Sequence, residues 1–83
     1  MNVYKIEASY TDYDQYYSIV VVAQDTEEAL KLAKKGNPWV YGMPLQEDVS
    51  EPYYEFHKEQ FPLKVTQINL TYPQVIDSNY RDG

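Results

Sequence analysis

Residues 16–36 read YYSIVVVAQDTEEALKLAKKG, and this stretch decides the fold. Its first part, 16–23, is an apolar and β-branched run, which predicts a strand with little access to water. Asp25 and Glu28 then form a capping-box pattern, because carboxylates at this spacing accept hydrogen bonds from the free amides of a helix N-terminus. We therefore predict a helix after Asp25. It ends at Lys34-Lys35-Gly36, where cations suit the helix dipole and glycine can turn left-handed.

Two further strands flank this unit. Residues 2–10 alternate between apolar and polar side chains, as in a half-buried strand, and residues 63–72 alternate in the same way. Turn-forming residues at 11–15 predict that the first two strands form an antiparallel hairpin. Because the helix returns along the sheet, the last strand can lie antiparallel beside the first. The predicted class is α+β, a small antiparallel three-stranded sheet in the order β-β-α-insert-β with one helix on one face.

The register of the hairpin has two alternatives. A five-residue loop aligns Ile6 with Val20, and a four-residue loop aligns Ile6 with Ile19. A shift of one residue exchanges the two faces of the second strand, and both faces of that strand are apolar enough to permit it.

The two-sided apolar character of the second strand also predicts where it lies. We expect it to be central, with the slowest amide exchange at Val21 and Val22, so that an aspartate at either position unfolds most of the protein. One helix covers only one face of such a sheet. The segment after Gly36, a second copy of the chain or another partner must then cover the other face.

Residues 37–62 form an aromatic-rich insert with several prolines and glycines. Within it, 53–60 fits a second short helix or a fourth, edge strand. The helix is favoured because Asp48 or Ser50 can cap its start, with Pro52 in the first turn. We predict a single domain over residues 1–76 and a flexible C-terminal tail over 77–83.

The charge balance limits the classes of partner. Thirteen acidic residues against seven basic ones give a formal net charge of −6. This argues against direct binding to nucleic acid or to an anionic membrane, both of which require cations. There is no cysteine, so disulfides and zinc-thiolate sites are excluded. No apolar run approaches the roughly 20 residues of a membrane span, and the expected location is the cytoplasm, that of the host if the chain is phage-encoded.

Catalytic and metal-binding patterns are sparse, and we expect neither an enzyme nor a bound cofactor or metal. His57 is the single histidine, and no serine lies in a nucleophile-elbow context. Asp12 and Asp14 share a turn but lack the further oxygen ligands and the glycine of a calcium loop. An alternative is a small ligand-binding or enzymatic domain, as a monomer or homodimer, with a pocket between the sheet and the aromatic insert.

The unusual feature is acid interleaved with tyrosine. Aromatic rings can anchor a protein interface, and neighbouring carboxylates attract and hold arginines and lysines. The sequence therefore predicts a protein-binding surface that could occupy a nucleic-acid-binding groove by imitating phosphate spacing. Its candidate residues are Asp12, Tyr13, Asp14, Glu47, Asp48, Glu51, Tyr53, Tyr54 and Glu55.

The first 36 residues carry a resemblance to known proteins. The strand Val3-Tyr4-Lys5-Ile6, the polar hairpin, and the strand-to-helix corner that starts at Val21-Val22-Ala23-Gln24-Asp25 are similar to small β-β-α-β proteins of phages and mobile elements. These include the DpnD/PcfM-type family and some anti-CRISPR proteins. The resemblance implies a phage-derived inhibitor that acts by binding a protein.

Overall fold

The computed structural model describes residues 1–35, 42, 56–78 and 80, and over these residues it shows a three-stranded antiparallel sheet with one helix. This confirms the predicted α+β class. The elements are β1 (Asn2–Glu7), β2 (Ser18–Ala23), α1 (Thr26–Lys35), a 3-10 turn (Lys58–Gln60) and β3 (Lys64–Gln67). In the part of the chain that is described, no helix has the length and apolar character needed to cross a membrane.

The strand order is β2-β1-β3, so β1 is the central strand. The last strand lies beside the first, as predicted, but the expectation that the second strand is central is wrong. Because β3 pairs with the free side of β1, β2 is left at an edge. Ile6 lies opposite Ile19 on β2 and Val65 on β3, which confirms the second of the two predicted registers. The expected four-residue loop is wrong, because the last pair of the ladder is Glu7 with Ser18.

The corner between β2 and α1 follows the predicted capping box closely. The Glu28 amide donates to Asp25 Oδ1 at 2.8 Å, and the Gln24 amide donates to Glu28 Oε1 at 3.0 Å. The reciprocal bond therefore reaches back one residue beyond the usual cap position. Two amides that the helix cannot satisfy by itself are bonded, so the helix begins at Thr26.

The core lies between one face of the sheet and α1. Ala29 and Ala33 are both fully buried, and they lie one helical turn apart on the same side of α1. Their small side chains let the helix approach the sheet closely. The core comprises Tyr4, Ile6, Ile19, Ala23, Ala29, Ala33 and Phe56.

The outer face of the sheet, the face opposite α1, is covered unevenly. Lys5 on this face makes an ion pair of 3.8 Å with Asp77, which brings the C-terminal segment to the middle of the sheet. Val22 on the same face is 58% exposed. The expectation that an aspartate at Val22 would be buried is therefore wrong, because the side chain reaches water. The predicted flexibility of 77–83 stays a prediction.

For residues 53–60 the sequence predicts a short helix or a fourth, edge strand, and the structure describes only 56–60 of this segment. His57 has an extended backbone, with φ −73° and ψ 158°, and the single 3-10 turn follows it. Phe56 is buried and joins the core. The predicted helix start near 48–52 and the rest of 43–55 lie outside the described residues.

Candidate interaction surface

The hairpin loop, residues 8–17, connects β1 to β2 and contains the first three candidate binding residues. At its base, the Ala8 amide donates to the Tyr17 carbonyl at 2.9 Å and continues the β1–β2 ladder. The neighbouring Ser9 amide donates to the Gln60 carbonyl, also at 2.9 Å. The loop is thus bonded both to its own strands and to the 3-10 turn.

The tip of the loop is shaped by its own side chains. The Asp12 amide donates to Gln15 Oε1 at 2.8 Å, and the Tyr13 amide donates to Asp12 Oδ1 at 2.8 Å. Asp14 has a φ of +59°, in the left-handed region that aspartate and asparagine tolerate better than most residues. The polar residues at 11–15 therefore build the turn itself, as their turn propensity predicts.

Gln60, in the 3-10 turn, is a buried residue that bonds to the hairpin loop. This residue is 0% exposed, and both ends of its amide group are bonded. Its Oε1 accepts from the His57 amide at 2.7 Å, and its Nε2 donates to the Tyr16 carbonyl at 2.8 Å. A buried amide that is bonded at both its oxygen and its nitrogen is stabilising, whereas one bonded at a single end would be costly. Gln60 therefore connects the 3-10 turn rigidly to the loop.

A second link joins the tip to the 3-10 turn at the surface. Gln15 Nε2 donates to Glu59 Oε1 at 2.8 Å, while Gln15 Oε1 holds the Asp12 amide. The pKa of Glu59 is lowered, first because its carboxylate accepts from its own backbone amide and then because it accepts from Gln15. The charged form of Glu59 is thus the form that supports the loop.

The tip of the supported loop displays Asp12, Tyr13 and Asp14 to solvent. Tyr13 is 93% exposed, and the flanking Asp12 and Asp14 are exposed as well. The structure brings these three predicted residues together at one tip. The other six lie outside the described residues and stay predictions: Glu47, Asp48, Glu51, Tyr53, Tyr54 and Glu55.

Sequence reasoning did not identify the residues that hold the loop, Gln15, Glu59 and Gln60. One signal was available for Gln60, since it shares a side with Phe56 when 53–60 is written as a helix. A polar side chain aligned with a buried aromatic ring needs partners in the interior. The identity of those partners depends on a contact between residues 44 positions apart, which local patterns do not encode.

The described residues give little support for chemistry at this surface. His57 is exposed, and within residues 1–35 and 56–78 no three histidine, cysteine, aspartate or glutamate side chains come close enough to hold a metal ion. What the tip of the loop can offer is the Tyr13 ring between two carboxylates, and the rest of the loop also exposes Tyr10 and Tyr17, a combination suited to binding.

Comparisons with known proteins add no relative: family models, curated proteins and solved structures all gave no match.

Proposed function

We propose that this chain is a non-enzymatic protein-binding module whose hairpin loop contacts a basic partner. The observation that carries the proposal is the display of Tyr13, 93% exposed, between two exposed carboxylates on a loop fixed by Gln15 and Gln60. A large ring left in water on an ordered loop contributes little to the fold, whereas it can anchor an interface.

The support beneath the loop favours binding for an entropic reason. A flexible loop must lose conformational freedom when it binds, which costs roughly 0.5–1.5 kcal/mol for each immobilised side chain. Here the loop backbone is already bonded at Asp12, Tyr13 and Tyr16. The cost of ordering the loop backbone has therefore largely been met on folding, and what remains is the cost of immobilising the exposed side chains.

The charge favours a basic partner. With a net charge of −6, the chain is attracted over long range to positive surfaces, and Asp12 and Asp14 can accept hydrogen bonds from arginine or lysine at close range. We propose that the partner is a nucleic-acid-binding protein and that the carboxylates take positions otherwise filled by phosphates. The resemblance of residues 1–36 to small phage and mobile-element proteins supports an inhibitory role in the host cytoplasm.

Capture from a host lysate, followed by mass spectrometry, tests the class of partner. We expect enrichment of basic nucleic-acid-binding proteins, and we expect release of the captured protein by added salt and by DNA or RNA. Capture that neither salt nor nucleic acid disturbs would refute the phosphate-mimic proposal.

Kinetics with the captured partner test the surface. The double variant Asp12→Asn/Asp14→Asn keeps the Asp12 acceptor and tolerates the left-handed backbone at position 14, so it removes only charge. We expect it to slow association and to reduce the salt dependence. Tyr13→Ala should instead speed dissociation about 5- to 150-fold, equivalent to about 1–3 kcal/mol.

Two control variants match these changes. Glu27→Gln, which is compared with the single variant Asp14→Asn, removes one charge at an exposed position outside the loop, and Tyr80→Ala removes a tyrosine that is 88% exposed. Both should bind like the unmodified chain. Equal losses in the loop variants and the controls would mean that the hairpin loop is not the contact surface.

A further inference from the structure

One row of side chains across the outer face of the sheet is buried beside β3 and exposed at β2. The Ile68 amide donates to the Val3 carbonyl at 2.8 Å, so these residues are neighbours across β3 and β1, and Val22 pairs with Val3 on the other side. Along this row Ile68 is 9% exposed, Val3 is half-buried and Val22 is 58% exposed. In this row the apolar surface that remains in water thus lies on β2.

The backbone of β2 is unpaired on the same side. Because the Ala8 amide bonds to the Tyr17 carbonyl, the alternation of an antiparallel ladder assigns the odd-numbered residues of β2 to β1. Ser18, Val20 and Val22 therefore direct their amides and carbonyls away from β1. Among the described residues no strand pairs with this edge, since the sheet ends at β2.

The two edges of the sheet differ in how they are protected. Soluble proteins protect edge strands from pairing with other chains by shortness, lysine or proline. β3 has four residues, begins with Lys64 and follows Pro62. β2 has six residues, SIVVVA, with no charge and no proline. The β2 edge therefore lacks these common protections against adding a strand.

The charge of the chain limits which protein could add a strand to the β2 edge. Residues 16–24 carry no charged side chain, so this edge has nothing to attract a basic protein, which would approach the acidic hairpin loop instead. Two copies of a chain with a net charge of −6 repel each other, so they associate more easily through a surface with uncharged side chains. Residues 18–23 form such a surface, and a second β2 offers it the same uncharged side chains and the same alternation of free amides and carbonyls.

We propose that two copies of this chain associate through β2 into a continuous six-stranded antiparallel sheet. The two copies are related by a twofold axis perpendicular to the sheet, which makes the two β2 strands antiparallel and leaves both helices on the same side of the sheet. One residue of β2 then lies opposite the same residue of the second copy. Centring the axis on Val21 bonds the free groups of Val20 to those of Val22 of the second copy. On the outer face Val20 and Val22 of both copies then form one apolar patch.

The size of this contact sets its strength. Pairing over residues 19–23 spans roughly 16 Å, which corresponds to an interface at the small end of specific ones, with a dissociation constant on the order of micromolar. Screening of the repulsion between copies should strengthen the dimer as salt is raised. Binding through the hairpin loop has the opposite salt dependence, so the two proposals fail independently.

Sedimentation equilibrium from about 5 to 500 μM, at low and high salt, measures this association. We expect a monomer–dimer equilibrium that shifts towards dimer with salt. Val22→Lys, which places a charge at an exposed edge position, should weaken the dimer at least about tenfold. Thr66→Lys is the matched control, because it adds the same charge at an exposed position of β3, and it should leave the dimer unchanged.

Amide exchange of the unmodified chain provides a test that needs no variant. The amides of Val20 and Val22 should exchange more slowly as concentration rises, whereas the Val21 amide, already bonded to β1, should not change. A chain that stays monomeric up to the highest concentration would overturn the proposal. A dimer that survives Val22→Lys, or that forms without protecting Val20 and Val22, would overturn it as well.

Discussion

Gln60 offers the most direct test of how this small fold supports its hairpin loop. The perturbation is Gln60→Ala, which removes a side chain that is fully buried and bonded to the His57 amide and the Tyr16 carbonyl. The backbone bond between the Ser9 amide and the Gln60 carbonyl does not depend on the side chain. The substitution therefore isolates the two side-chain bonds and the space that they occupy.

The expected loss of stability follows from the two backbone groups that lose their hydrogen bond, the His57 amide and the Tyr16 carbonyl. Each net hydrogen bond contributes about 1 kcal/mol, and a partner stranded without water costs up to about 3 kcal/mol. Because the His57 and Tyr16 groups are only partly buried, water can reach them in part, and we expect a total loss of about 2–3 kcal/mol. For a domain of this size the loss lowers the melting temperature by roughly 10–20 °C.

Thermal and urea unfolding followed by circular dichroism measure the effect. Gln24→Ala is the control, since it removes a glutamine side chain at an exposed position and should change stability by less than about 0.5 kcal/mol. A loss in Gln60→Ala that is no larger than in this control would refute the view that the buried amide holds the loop.

Two further predictions concern the edge strand and the loop. Val21 packs against the core, whereas Val22 is exposed. In urea unfolding at low micromolar concentration, Val21→Asp should therefore unfold most of the protein, and Val22→Asp should lower the free energy of unfolding by less than about 1 kcal/mol. Similar losses for the two variants would contradict the assignment of Val21 to the core face and Val22 to the outer face. Because the pKa of Glu59 is lowered in the folded chain, its charge stabilises the fold above its ordinary pKa, and this contribution disappears as pH falls through the lowered value. The small stability difference between the unmodified chain and Glu59→Gln should therefore shrink below about pH 4, and a difference that grows on acidification would exclude this role.

The parts of the fold that the sequence predicts are those set by local physics. Asp25 and Glu28 satisfy amides within one helical turn, and Ala29 and Ala33 show the buried side of α1 by their spacing alone. For the hairpin, the sequence leaves two registers of β1 against β2 open. The structure, in which Ile6 pairs with Ile19, decides between them.

The predictions that are wrong concern contacts between residues that are distant in the sequence. An apolar run such as 18–23 suggested a strand covered on both faces, but the same residues can form an edge strand whose second face is open. The pairing of β3 with β1 decides this, and no residue of β2 takes part in that pairing. Gln60 was missed for the same reason, since its partner Tyr16 is distant in the sequence.

The same open edge bears on how the hairpin loop would act. In the proposed dimer the start of β2 lies beside the end of β2 of the second copy, because the strands are antiparallel. The two hairpin loops are then displayed at opposite ends of the six-stranded sheet. Low salt favours the contact of each loop with a basic partner and opposes the dimer, whereas high salt does the reverse. A salt titration of the complex therefore tests both proposals together. We expect a mass that corresponds to one copy per partner at low salt and to two free copies at high salt, and the Asp12→Asn/Asp14→Asn and Val22→Lys variants assign each change to its surface.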